Sequence, residues 1–201
     1  MAQFALPLTS GGVGPVRICV GSANHAAVEA LGRPESWPFR TALLIGPPRS
    51  GKSLLARWFE GETDAKVIDN APLQAEDAVF HAWNRAQELG HPLLLTARQG
   101  WRIALPDLAS RLGGSLHLEI GVPDDDMIVD LLAAHAEQRG VALGEGAFGY
   151  LSPRIERSFA AIEAVVAAID RITLERQSAP TMSVWRDALE AVQGPQQARL
   201  L

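Results

Sequence analysis

Residues 46–53 read GPPRSGKS and match G-x-x-x-x-G-K-[ST] at every fixed position. In a loop of this kind backbone N–H groups cradle phosphate oxygens, the lysine reaches the outer phosphates and the hydroxyl holds a divalent cation. By chance the pattern arises in about one chain in a hundred of this length. Here it also lies between an apolar run, TALLIG (41–46), and a helical stretch, SLLARWFEG (53–61). A helix N-terminus is where an anion is best held. The candidate phosphate-binding residues are therefore Gly46, Pro47, Arg49, Ser50, Gly51, Lys52, Ser53 and Leu54, with Ser53 also on Mg²⁺.

The next residues with chemical potential are VIDN, 67–70. A short apolar strand ending in Asp69 has the form that places a carboxylate in the Mg²⁺ shell. Asn70 follows where a hydrolysing enzyme would carry Glu or Asp. An amide positions a water but cannot take its proton, so intrinsic hydrolysis is expected to be slow or absent. The expected cofactors are ADP or ATP with Mg²⁺.

The surrounding pattern must position these groups. Apolar runs at 41–46, 66–70, 91–97 and 115–120 alternate with helical spacing at 53–61, 73–89 and 105–113. Such alternation predicts an α/β layer with a mostly parallel sheet. After Val122 only helical patterns remain: PDDDMIVDLLAAHAEQRG, GEGAFGYLS, RSFAAIEAVVAAIDRITLER and TMSVWRDALEAV. The expected architecture is an α/β P-loop core over residues 13–121 and a small all-helical lid over 122–201, preceded by a tail and linker at 1–12. Only residues 54–66 separate the two motifs, enough for one helix and a turn.

Composition narrows the partners. The 201 residues are 47% hydrophobic, enough for a core, and the net charge of −5 disfavours tight direct DNA binding. Cys19 is the one cysteine, which excludes an internal disulfide. His25, His81, His91, His117 and His135 lack metal-ligand spacing. No apolar run approaches 18 residues and no signal-like segment opens the chain, so a cytoplasmic protein without membrane association is expected. At the start, QFALPL (3–8) sets five apolar residues behind Gln3, next to a Gly-rich link at 9–16. Termini are poorly ordered unless tied down, so Phe4, Leu6 and Leu8 are expected either in the domain's own core or on a partner.

A helical lid after a P-loop core is the AAA+ layout, and the local wording is narrower. VGSANHAAVEAL (20–31), LPDLASRL (105–112) and RIERSFAAIEAV (154–165) resemble the ATPase domain of the replication initiator DnaA, and more closely the Hda family of DnaA inactivators. That resemblance covers nearly the whole chain. It implies that QFALPL binds the β sliding clamp, with Gln3 at the pocket entrance, Leu6 and Leu8 in an apolar cleft, Pro7 stiffening the extended form and Phe4 also among the partner-binding residues. It implies that Arg111 is an arginine finger acting in trans on ATP held by DnaA. It places Thr96 at the sensor 1 position, where a polar residue contacts the γ-phosphate or water, Arg157 at sensor 2 with Arg154, one turn away on the same helix, as the competing candidate, and Val20 and Gly21 beside the adenine. A homodimer is also compatible. The rival readings are a self-contained ATPase such as a helicase loader, and a DnaA-like initiator. Against the second stand the missing basic patch and a chain that stops after the lid.

Overall fold

The structure, a computed structural model, describes residues 4–8 and 16–194. In chain order its elements are β1 (Phe4–Leu8), β2 (Val16–Val20), α1 (His25–Leu31), β3 (Thr41–Ile45), α2 (Lys52–Glu62), β4 (Lys66–Ile68), α3 (Glu76–Leu89), β5 (Leu93–Ala97), α4 (Pro106–Gly113), β6 (Leu116–Glu119), α5 (Asp125–Arg139), α6 (Glu145–Leu151), α7 (Phe159–Arg176) and α8 (Met182–Gln193). They form two units: residues 22–121, and residues 4–8 and 16–21 with the helices after 122.

In the first unit four strands form a parallel sheet in the order β4-β5-β3-β6. Every residue of β5 is buried, as expected of a strand inside a sheet covered on both faces. The pleat sends Leu43, Leu93, Leu95 and Ala97 to one side, where Val79, Trp83 and Ala86 of α3 and Leu108 and Leu112 of α4 cover them. On the other side α2 packs on β4 and β5, and α1 on β6. Trp37 lies against Phe59 of α2 with ring centres 5.2 Å apart. Only residues 63–65 join α2 to β4, so no further strand is inserted there. Gly90 ends α3 at φ 68°, a left-handed stop that suits glycine. A 3-10 turn at Ala71–Leu73 occupies the start of the region whose spacing predicts a helix from residue 73. Pro72 in that turn and the extended Gln74 delay α3 to Glu76.

The second unit is a helical bundle with a two-stranded antiparallel ribbon. β1 pairs with β2 from Phe4↔Val20 to Leu8↔Val16, and β2 packs on α5. Helix α7 packs between α5 and α8, and Ile128, Leu132, Ile162, Val166, Ile169 and Leu189 fill the core between them. Helix ends follow local chemistry. Asp124 accepts from the Met127 N–H at 2.9 Å, Asp125 and Asp126 sit in the first turn of α5, and Gly140 closes it at φ 67°. Ser158 caps α7 through the Ala161 N–H at 3.1 Å. Among the described residues no helix is long and apolar enough to cross a membrane.

On β2, the Cys19 thiol points at the Asp130 carbonyl of α5, 3.7 Å away. Burial pushes this thiol up from 9.0 to about 11, with the Asp130 charge adding to the shift and Arg17 opposing it. A rise of this size lowers the thiolate fraction near neutrality roughly a hundredfold. Iodoacetamide at about pH 8 is therefore expected to alkylate Cys19 about a hundredfold more slowly in the folded chain than in urea, read by mass spectrometry. The unfolded thiol ionises first, so this unit loses stability as pH rises from 9.0 toward 11.

Candidate functional site

β3 delivers the chain to Gly46, and α2 starts six residues later. A Cβ on residue 46 would lie 2.9 Å from the Ile120 Cβ and 3.0 Å from the Ser50 Oγ. Only glycine lets the loop pass this close to the end of β6. Gly51 precedes α2 at φ 83°, a conformation that L side chains rarely adopt. Arg49 is also left-handed, at φ 63°. No side chain caps the first turn of α2, so its leading N–H groups remain for an anion. The Leu54 N–H is an exception, donating to the Gly51 carbonyl at 3.0 Å, so Leu54 contributes to the helix start. Lys52 Nζ donates to the carbonyls of Gly46 at 2.8 Å and Pro47 at 2.7 Å. Burial lowers its pKa, and Asp69 opposes that shift. The ammonium is thus held by dipoles, in a place where phosphate oxygens would be favourable partners.

The end of β4 supplies the second half. Ser53 Oγ donates to Asp69 Oδ1 at 3.0 Å, and Thr96 Oγ1 donates to the same oxygen at 2.6 Å. Thr96 in turn accepts the Asn70 N–H at 2.8 Å. Asn70 itself sits at φ 52°, ψ 52°, a left-handed position that asparagine tolerates. Thr96 is 1% exposed, with its hydroxyl engaged as donor and as acceptor. In this arrangement it supports Asp69 and Asn70 from beneath. The resemblance implied a polar group at this position facing phosphate or water.

These residues fit a nucleotide phosphate with Mg²⁺. A hydroxyl and a carboxylate 3.0 Å apart are hard oxygen donors of the kind that cation takes. The Gly46 approach and the free first turn of α2 form the cradle. When bound, the nucleotide supplies the charge that Lys52 and those N–H groups are arranged to meet.

Other expected site residues lie in the second unit. Val20 is buried on β2, and Gly21 packs against Met127. The spacing predicted Arg154 and Arg157 one turn apart on a helix, whereas both sit in the connection between α6 and α7. Residue 153 is Pro, and the Ser158 cap starts α7 only after it. There Arg157 pairs with Asp125 at 2.6 Å, while Arg154 lies over the Tyr150 ring and donates to its carbonyl at 2.9 Å. Gln3 lies outside the described residues.

Arg111 is on α4. Its Nη1 donates to Asn84 Oδ1 of α3 at 2.8 Å, and its guanidinium carbon sits 4.6 Å from the Phe80 ring centre and 4.3 Å from that of Trp83. Glu76, at the start of α3, accepts the N–H groups of Ala104 at 2.9 Å and Leu105 at 2.6 Å. It thereby fixes the entry to α4. Neither Glu76 nor Asn84 stands out in the sequence. The available signal was their shared face: positions 76, 80, 83, 84 and 87 recur three or four apart.

No protein-family model matches the sequence, and no curated protein matches it. Solved structures do. Domain III of the Thermotoga maritima replication initiation protein DnaA is similar at a TM-score of 0.72, with 14% identity over 88% of this chain and 95% of that one. AMPPCP-bound DnaA from Aquifex aeolicus gives 0.60 at 17% identity, covering 79% of this chain and 65% of that chain. The Thermotoga maritima RuvB Holliday junction branch migration motor gives 0.56 at 14%, covering 78% and 64%. The chain has the AAA+ fold of DnaA domain III. It spans less than two thirds of the Aquifex and RuvB chains.

The site makes a paired prediction. Lys52→Ala removes the charge, and Gly46→Ala presses a methyl group into Ile120 and Ser50 without touching the charge. Both are expected to weaken ADP binding by at least about tenfold in calorimetry, the loss of a charge-assisted hydrogen bond or its equivalent.

Proposed function

We propose that this AAA+ chain is a regulator of replication initiation: it docks on ATP-loaded DnaA, presents Arg111 to that nucleotide and promotes its hydrolysis. Its own P-loop holds ADP or ATP with Mg²⁺ as a structural or regulatory ligand. QFALPL tethers it to the β sliding clamp, which would confine the activity to replicating DNA. The observation that carries this reading is a division of labour within one AAA+ fold. The motif strand β4 leads into Asp69 and then Asn70, so position 70 carries an amide where a base would take a proton from water, while α4 offers an arginine with no carboxylate partner among the described residues.

Burying Phe4, Leu6 and Leu8 supplies roughly 5–8 kcal/mol gross. Ordering six residues costs about 1 kcal/mol or more each. The expected affinity is roughly micromolar, strengthened by avidity on a dimeric clamp. The backbone of residues 4–8 is already extended in β1, the shape a groove-bound peptide needs.

The test is single-turnover hydrolysis of ATP preloaded on DnaA, with and without this protein and clamp. The wild type is expected to accelerate it, and Arg111→Ala to remove at least about a hundredfold of that effect, as loss of an arginine finger does. Leu6→Ala/Leu8→Ala is expected to abolish clamp binding in calorimetry. Steady ATP turnover by the isolated chain, lost in Asn70→Ala and without effect on DnaA, would instead make it a self-contained ATPase.

A further inference from the structure

The orientation of Arg111 is built by its neighbours. Phe80, Trp83 and Asn84 lie on one face of α3, and the guanidinium packs over both rings while Asn84 accepts one N–H at 2.8 Å. Stacking of this kind occupies the flat faces of a guanidinium, which donate no hydrogen bonds. All five N–H donors lie at its edge. Among the described residues the bond to Asn84 is the one hydrogen bond this group makes, so most of that edge is unspent.

The chemistry of the acceptor matters. Arg17, Arg33, Arg139, Arg157, Arg171 and Arg176 each face a carboxylate, while Arg40, Arg57 and Arg154 donate to backbone carbonyls. Arg111 faces a neutral amide, which orients the cation without cancelling it. Beside it opens a cleft of about 650 Å³, lined by Arg111, Arg85 and His81 but also by Glu88. A contact that stored the arginine out of use would be better made by a carboxylate.

We infer that Asn84 is the positioning residue of Arg111: with Phe80 and Trp83 it fixes the guanidinium's rotation so that its remaining N–H edge meets a partner's phosphates. This rests on the reading of Arg111 as a group acting in trans. Three bodies of contact hold the arrangement: the ring stack, the Asn84 amide and the Glu76 carboxylate that anchors the entry to α4.

The experiment has two readouts on the full chain. ¹⁵N-arginine NMR follows the guanidinium directly, with Arg111→Lys assigning the signal. In the wild type, rotation about the Cζ–Nε bond is expected to be hindered and the two Nη signals resolved. Asn84→Ala should merge them, and in the DnaA hydrolysis assay it should lower the maximal rate about tenfold with the half-saturating concentration unchanged. Asn84→Asp keeps an acceptor of the same shape but adds a charge. It should keep the hindered rotation and still lose stimulation. It also serves if the alanine variant fails to fold. Averaged Arg111 signals in the wild type, unchanged signals in Asn84→Ala, or full maximal stimulation by either variant would overturn the inference. Hindered rotation that Asn84→Ala releases, in a wild type that does not stimulate DnaA, would support the positioning role and overturn the proposed function instead.

Discussion

One carboxylate oxygen, Asp69 Oδ1, accepts hydrogen bonds from Ser53 at the start of α2 and from Thr96 on β5. Three elements that are distant in sequence therefore meet at one atom. The meeting requires β4 to run parallel to β5 with Ile68 level with Leu95 and Thr96 one residue beyond. It also requires α2 to return over the sheet through the three-residue link 63–65. The crossover from β3 through α2 to β4, which carries the chain past β5, satisfies both. Asn70 is then drawn into its left-handed turn by the same Thr96 hydroxyl. Local strain at Asn70, the depth of Thr96 and the placement of the Ser53 hydroxyl are consequences of a single hub.

The opposite face of the sheet obeys a different economy. There α3 and α4 are joined by apolar packing through Val79, Trp83, Leu108 and Leu112, then trimmed by two polar devices at the edge. Glu76 satisfies two backbone N–H groups that no helix would otherwise bond, and its charge sits at the positive end of two helices at once. Asn84 deals with a cation without neutralising it. The phosphate loop and the arginine thus belong to opposite faces of one sheet, one on the α2 side and one on the α3 side. In the proposed function they answer two different nucleotides, and this layering keeps them apart.

The parts of this fold readable in advance were those governed by neighbours along the chain. The loop from Gly46 to Ser53, the apolar strands, the glycine stops at 90 and 140 and the acidic start of α5 are local chemistry. Contacts between elements were not readable. Nothing in FHAWNRA says that Arg111, from a helix two elements later, will lie on Phe80 and Trp83. Thr96 was legible as a polar residue at a strand end, but its burial depends on α2 covering that face. Arg154 and Arg157 were misplaced on a helix because the apolar spacing that follows them was extended backwards across the Ser158 cap. The pairing of β1 with β2 is a contact between segments separated by a glycine-rich link, where no periodicity carries information.

The absence of a base after Asp69 has a structural counterpart that strengthens its meaning. A residue at position 70 is committed by its backbone, since its N–H is bonded to a buried hydroxyl and its φ is 52°. Asparagine accepts that conformation more readily than most side chains do. Replacing it with glutamate would bring a base but would place a bulkier residue in the left-handed region, which costs backbone energy. In the proposed function the turn and the side chain agree with one another: both suit a site that binds a nucleotide and retains it. A P-loop of that kind contributes stability and shape through occupancy. In the proposed function the cation that acts on phosphate chemistry lies outside this site, at Arg111, which meets a neutral amide rather than a carboxylate.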